Sequence, residues 1–395
     1  MAEKSTKSKK NRSNPIKRFF VFVLGDERWQ SLSIPLFCVL ISLIAISIVL
    51  LLLKKSPIEA YKSLLEGAGL LKKTNYANHK GMITDFASML NALTPMIFGA
   101  LAVAIALKGG LFNIGVAGQM LLSGFVATAL VGYSSLPLAA SIPVILAIGI
   151  LVGGLTGGLI GFLKYKFNTN EVVASIMINY IIQYITSFII NTRYIDPVSR
   201  QSRQVASNAR LSIMNMPVGD YKMDIPIGII FALIAVAIMY FIITKTRIGY
   251  EIKIVGLNPK AAKYAGMSVN KNIMLSMLIS GALAGLAGVT YYLGYFGSIQ
   301  PRILPDLGFD AIAVSLLGNS NPIGIVFASL LITVITKGST QMTSNLGVRQ
   351  EIAMVIVGLI LLFSACSEFI KFLVKRAKDQ PEEQGREIAN EEGLN

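Results

Sequence analysis

Apolar stretches long enough to cross a lipid bilayer recur along nearly the whole chain, and no other feature constrains its fold as strongly. Inside hydrocarbon a segment must satisfy its own backbone donors and acceptors, so a run of about 20 apolar residues has to be a helix. Such runs lie at Ile34–Leu53, Met89–Leu107, Leu111–Val131, Leu138–Leu163, Val172–Asn191, Ile225–Thr244 and Ile273–Tyr295. Three more follow at Phe309–Gly318, Ile323–Thr336 and Glu351–Phe372. The first two of these are short for a crossing and are expected to be tilted, broken or re-entrant. The expected fold is all-α, a polytopic membrane helical bundle of about 10 (8–10) segments. With 53% hydrophobic and 14% charged residues, the composition excludes an ordinary soluble domain.

Orientation follows from Lys and Arg. With both termini cytoplasmic, the inner segments hold 22 of the 36 basic residues: eight before Ile34, then Lys108, Lys164, Lys166, six from Lys245 to Lys271, and five after Phe369. The outer loops Lys54–Ser88 and Arg193–Asp224 carry basic clusters of their own, so the opposite orientation is disfavoured rather than excluded. Three regions result: a basic cytoplasmic segment 1–33, disordered over Met1–Ser13; a transmembrane domain 34–373 with a cytoplasmic loop at 245–272; and an acidic tail 374–395. The first outer loop has the pattern of an amphipathic surface helix around Ile58–Leu71. A net charge of +15 spread over loops beside apolar spans suits membrane lipid headgroups and does not point to nucleic acid. The first span reads as a retained signal anchor. Cys38 and Cys366 both lie in spans, which offers neither a disulfide framework nor metal-ligand spacing, and His79 reads as a solvated loop residue.

Gly153, Gly157 and Gly161 recur every four residues, as do Gly154 and Gly158, and Gly281 and Gly285 repeat the spacing before Gly288. Small residues at this interval let helices approach closely where lipid removes the hydrophobic drive. Polar groups in spans are costly unless they are paired or face a wet cavity. Asn113, Gln119 and the deeper Asn179 therefore have two readings: hydrogen bonds to neighbouring helices, or the lining of a pathway for an uncharged polar solute. Glu171 opens its span where a carboxylate favours the helix dipole. Phe309 and Asp310 begin a short segment much as Phe112 and Asn113 do, a pointer to a central pathway. Tyr291, Tyr292, Tyr295 and Phe296 are interfacial anchors or a stacking surface for a planar ring.

Between two spans, Val255–Gly266 reads as a short helix marked at both ends. Asn258 is its N-cap, Pro259 its first residue and Gly266 its left-handed stop. Ala261, Ala262 and Ala265 give a smooth face and Tyr264 a single knob, the shape of a docking piece. No phosphate loop is present: Lys337-Gly338-Ser339-Thr340 has the residues in the wrong order. No catalytic constellation of Ser/His/Asp, Cys/His or HExxH type occurs either, so this chain is not expected to be an enzyme or to bind a cofactor or metal.

Several strings resemble the permeases of ABC importers of the ribose/branched-chain amino acid type, above all the nucleoside-uptake branch. They are Gly110–Met120, Asn170–Tyr180, Arg247–Tyr250 through Gly256–Gly266, Ser280–Gly288, Gly308–Val314 and Leu316–Gly324. The resemblance implies a transport subunit in a bacterial plasma (inner) membrane. Its partners would be cytoplasmic ATPase subunits that bind ATP and Mg, a second permease in a heterodimer, and an external or lipid-anchored solute-binding protein. It makes Gly256–Gly266 the coupling helix that docks on the ATPase. Ala117 stands where many relatives carry Glu, and Ala311 where Gly is common. The implied solute is a nucleoside, with ribose or another sugar as the alternative. A self-sufficient secondary transporter is the competing class, and no embedded acid or cation site for a coupling ion is evident.

Overall fold

The computed structural model describes residues 30–73, 76, 80–347, 349 and 351–365. The basic amino-terminal segment before residue 30, His79, Cys366 and the acidic tail lie outside the described residues. Every apolar segment named above carries a helix. In chain order these are α1 Gln30–Leu52, α2 Pro57–Gly67, α3 Met82–Lys108, α4 Val116–Ala127, α5 Leu138–Phe167, α6 Glu171–Ile189 and α7 Gly228–Lys245. After them come α8 Arg247–Leu257, α9 Pro259–Tyr264, α10 Val269–Val289, α11 Leu307–Leu317, α12 Pro322–Leu346 and α13 Glu351–Ala365. Helices α4, α6 and α10 each continue into a π-helical stretch, Thr128–Gly132, Ile190–Tyr194 and Thr290–Phe296.

Six of the described helices are long and apolar enough to cross a membrane, or seven if the pair 37–52 and 57–67, bent by 114°, counts as one span. The two shorter apolar helices are Val116–Gly132 and Leu307–Leu317. By length alone the described helices thus supply six or seven crossings and two short apolar helices. The all-α expectation needs one amendment. The loop after α6 contains a hairpin, β1 Ser212–Val218 and β2 Tyr221–Pro226, turning at Gly219 with φ +60°. The strands pair antiparallel from Val218↔Tyr221 to Ser212↔Pro226, with an irregularity between Ile213 and Met216.

The largest helix–helix interface is α5 against α10, and glycine makes it possible. A Cβ on Gly157 would lie 2.7 Å from the Cα of Gly281, and one on Gly153 2.6 Å from the Cα of Gly285. The second glycine row of α5 is looser: at Gly154 the nearest atoms would be 3.7 Å away, and at Gly158 3.8 Å. Only one of the two rows is therefore the seam. On its other side α10 meets α4, where Gly288 presses on the backbone of Met120. Helix α3 is the most enclosed span, with 83% of its apolar window buried against 28% in α5, whose Leu151, Leu155 and Leu159 point outward. Outward leucines along a span are the surface that lipid covers.

Helix α12 runs ten residues beyond the expected end at Thr336 and stops at Gly347, φ +61°. Hydropathy fades at Lys337, but the backbone ladder continues because α2 covers this polar half. Gly338 admits the backbone of Leu64, and the Asn345 amide donates to Ser63 Oγ at 3.0 Å and Glu66 Oε2 at 3.2 Å. Helix α2 is the anticipated amphipathic helix. Ser56 caps it by accepting from the Glu59 N–H at 3.4 Å, and Pro57 opens it.

The chain divides into two compact units, Ser47–Gly358 and a smaller one made of Met1–Ile46 with Leu359–Asn395. Among its described residues the smaller unit buries Cys38, Ser42 and Ile46 along α1, with Ser42 Oγ donating to the Cys38 carbonyl at 2.6 Å. All that follows lies in the larger unit.

Candidate functional site

The turn Leu111–Gly115 between α3 and α4 is a hub. Asn113 Nδ2 donates to Gln119 Oε1 at 3.1 Å and to Ser280 Oγ of α10 at 2.8 Å, and its Oδ1 accepts from the Gly115 N–H at 2.9 Å. Ser280 Oγ passes the chain on to the Ala102 carbonyl of α3 at 2.6 Å. From α6, Asn179 clasps the same turn with both ends of its amide. It donates to the Ile114 carbonyl at 3.0 Å and accepts from the Gly118 N–H at 3.0 Å. Asn113, Gln119, Asn179 and Ser280 are all buried. Three of the sequence-derived pathway residues are thus brought together, but they face one another, and none turns its amide toward open space in this conformation. A satisfied knot of this kind is favourable because each member would otherwise carry an uncompensated desolvation cost. Ser280 is the member that sequence reasoning missed. It sat inside a recognised glycine string, where its hydroxyl gave no separate signal.

Phe309 and Asp310 open α11 next to this hub but outside its hydrogen bonds. Their neighbour Gly308 is pressed on Ala117 of α4, where a Cβ would come within 2.6 Å of the Ala117 Cα. Phe309 is exposed and Asp310 half-buried. Ala311 fits because its methyl group faces Gly99 of α3, where a Cβ would come within 3.1 Å of it. At the start of α6 the cap is Asn170, whose Oδ1 accepts from the Val172 N–H at 2.9 Å. Glu171 instead pairs with Lys164 at 2.9 Å.

A few residues along the chain from α7, α8 and α9 form the polar interlude. Asn258 Oδ1 accepts from the Lys260 and Ala261 N–H groups, both at 3.1 Å; Pro259 is the first residue of α9; Gly266 adopts φ +76°. All three local signals are where the sequence placed them. Tyr264 is 94% exposed and Leu257 82% exposed, with Ala261 and Ala265 also exposed. Ala262 differs: it is fully buried and faces the protein, so it belongs to the foundation of α9 and not to its outer face. Gly256 is more than a boundary. It abuts Gly110, where a Cβ on Gly256 would lie 2.7 Å from the Gly110 N, and so joins the interlude directly to the turn carrying Asn113. Helix α8 is tied to α10 by Glu251, which accepts from Asn272 Nδ2 at 3.0 Å and from Arg247 Nε at 2.6 Å. These two hydrogen bonds, Asn272 first, hold the Glu251 carboxyl below its ordinary range.

The sequence model of the family described as branched-chain amino acid transport system / permease component matches residues 86–365. The nucleoside ABC transporter permease NupB of Lactococcus lactis is 34% identical over 89% of this chain and 96% of its own length. The guanosine ABC transporter permease NupP of Bacillus subtilis is 37% identical over 89% of this chain and 98% of its own. The glucose ABC transporter permease TsgB13 of Haloferax volcanii is 28% identical over 87% of this chain and 89% of its own. No solved structure matches the chain.

Proposed function

The chain belongs to the branched-chain amino acid transport system / permease component family, and from that membership we propose that it is the membrane-spanning permease of an ABC importer carrying nucleosides. The observation that carries the substrate is near-full-length similarity to permeases named for nucleosides and for guanosine, at 34% and 37% identity. A sugar is the second reading, favoured by the relative named for glucose at the lower identity of 28%. The protein is a multi-pass plasma-membrane protein. Permeases of this family carry no ATP site of their own, so energy comes from a partner.

The partners of this reading are cytoplasmic ATPase subunits that bind ATP and Mg, a second permease completing a heterodimer, and an external solute-binding protein. The apolar segments form about 10 crossings, with both termini cytoplasmic. Helix α9 docks on the ATPase through Tyr264, beside Leu257 at the end of α8, with Asn258, Pro259 and Gly266 fixing its ends and Ala262 rooting it. Gly256 passes its movement by backbone contact to Gly110, and so to the turn that bonds α3, α4, α6 and α10 together. Asn113, Gln119 and Asn179 hold the helices at the pathway, and Phe309 and Asp310 lie on its open side. The test is reconstitution of this chain with its partner permease and binding protein, with and without the ATPase subunits. ATP-dependent uptake of a radiolabelled nucleoside is expected, and uptake by this chain alone without ATP would sink the reading in favour of a secondary transporter.

A further inference from the structure

Because α12 continues past Thr336, Lys337 lies inside a 25-residue helix instead of in a loop. Its Nζ donates to Tyr295 Oη at 3.0 Å and sits 5.0 Å from the centre of that ring. Among the described residues it has no carboxylate partner within 4.0 Å. An ammonium has three donors, and one phenol leaves two of them unused. Lys337 stands where the apolar half of the span gives way to its polar half, and a cation held there without a counter-ion points to a wet site. About nine residues, roughly 14 Å, separate Lys337 from the end of α12, too far for its stem to reach the helix end.

Two further observations describe its surroundings. Ser329 and Thr333 precede Lys337 at four-residue intervals and share its face. Both are buried, and neither hydroxyl has a hydrogen-bond partner. Elsewhere on α12 hydroxyls bond back to the preceding turn, as Thr336 does to the Ile332 carbonyl at 3.0 Å. The Ser329 and Thr333 hydroxyls make no such bond. Where Lys337 meets Tyr295, the π-helical stretch after α10 sets Tyr291, Tyr295 and Phe296 against one another, with centroids 4.8 to 6.4 Å apart. The two unused donors of the ammonium suit a carbonyl oxygen on a ring that lies against Tyr295.

We propose that Lys337 contacts the transported solute, its ammonium donating to a carbonyl oxygen of an uncharged nucleobase held against Tyr295. This rests on the nucleoside reading above. The test compares guanosine with purine riboside, which lacks the 6-oxygen, as solutes for the complete reconstituted transporter. Lys337→Met is expected to lower guanosine uptake at limiting solute by about tenfold and purine riboside uptake by less than about threefold, because only the first loses a hydrogen bond. Lys337→Arg retains the guanosine preference. Equal losses for both solutes, or no loss for either, would overturn the proposal. If Lys337→Met does not assemble, Tyr295→Phe keeps the ring and releases the ammonium. It should shift the guanosine to purine riboside ratio by about threefold or more, and an unchanged ratio is fatal. A wild-type transporter that carries no nucleoside would instead overturn the nucleoside reading itself, a result distinct from a Lys337→Met variant that matches a competent wild type.

Discussion

Asn113 spends all of its amide on its neighbours, so Asn113→Leu should do more than delete one contact. Gln119 and Ser280 would each lose a buried partner, a cost of about 1–3 kcal/mol, read as a lower thermal midpoint in detergent. Asn258→Ala removes the cap of α9 at about 1 kcal/mol. Because the helix is short and exposed, the effect should appear as faster amide exchange at Lys260 and Ala261 with the global midpoint unchanged. Glu251 supplies a pH dependence. Its folded carboxyl lies below the ordinary value of 4.5, so the tie to Asn272 and Arg247 is fully present above that pH. It is lost as pH falls through the depressed folded value. Acidification through that depressed value should therefore loosen α8 from α10, and Glu251→Gln should remove that pH dependence. The alanine at 117 also has a physical account. Gly308 leaves no room beside it, and a glutamate there would displace the start of α11.

Helix α9 shows how far local signals reach. Cap, first residue and stop were legible because each acts within about one turn of its own backbone. The buried side of α9 was not, because four alanine or tyrosine positions on a two-turn helix look alike until a neighbour covers one. Tyr264→Glu should abolish ATPase association while leaving the thermal midpoint as it was, whereas Ala262→Glu should damage folding itself; co-purification with the ATPase and a melting curve separate the two. The glycine seam repeats the lesson. Both rows of α5 have the spacing that permits close approach, and only one meets a partner. Gly281→Val should cost about 1–3 kcal/mol or prevent assembly, while Gly154→Val should be tolerated, as measured by the yield of monodisperse protein.

Over the molecule, the larger unit is organised around α3 and α10, which receive the seam, the amide knot and Gly256. Gly256 sets the interlude before α9 against the Gly110 turn, whose hydrogen bonds tie α3, α4, α6 and α10. Residue order alone carried the positions of the helices, the caps and the family. A span is chosen by the partition of its own side chains between water and hydrocarbon, and a cap by hydrogen bonds a few residues away, so both can be read locally. The length of α12, the choice of glycine row and the inward turn of the amides depended on groups far away in the chain. Asn113 and Ser280 are separated by 167 residues, and Lys337 and Tyr295 by 42. Whether a buried polar group is a tie or a solute contact is decided by what stands opposite it, and only the packed tertiary structure supplies that partner.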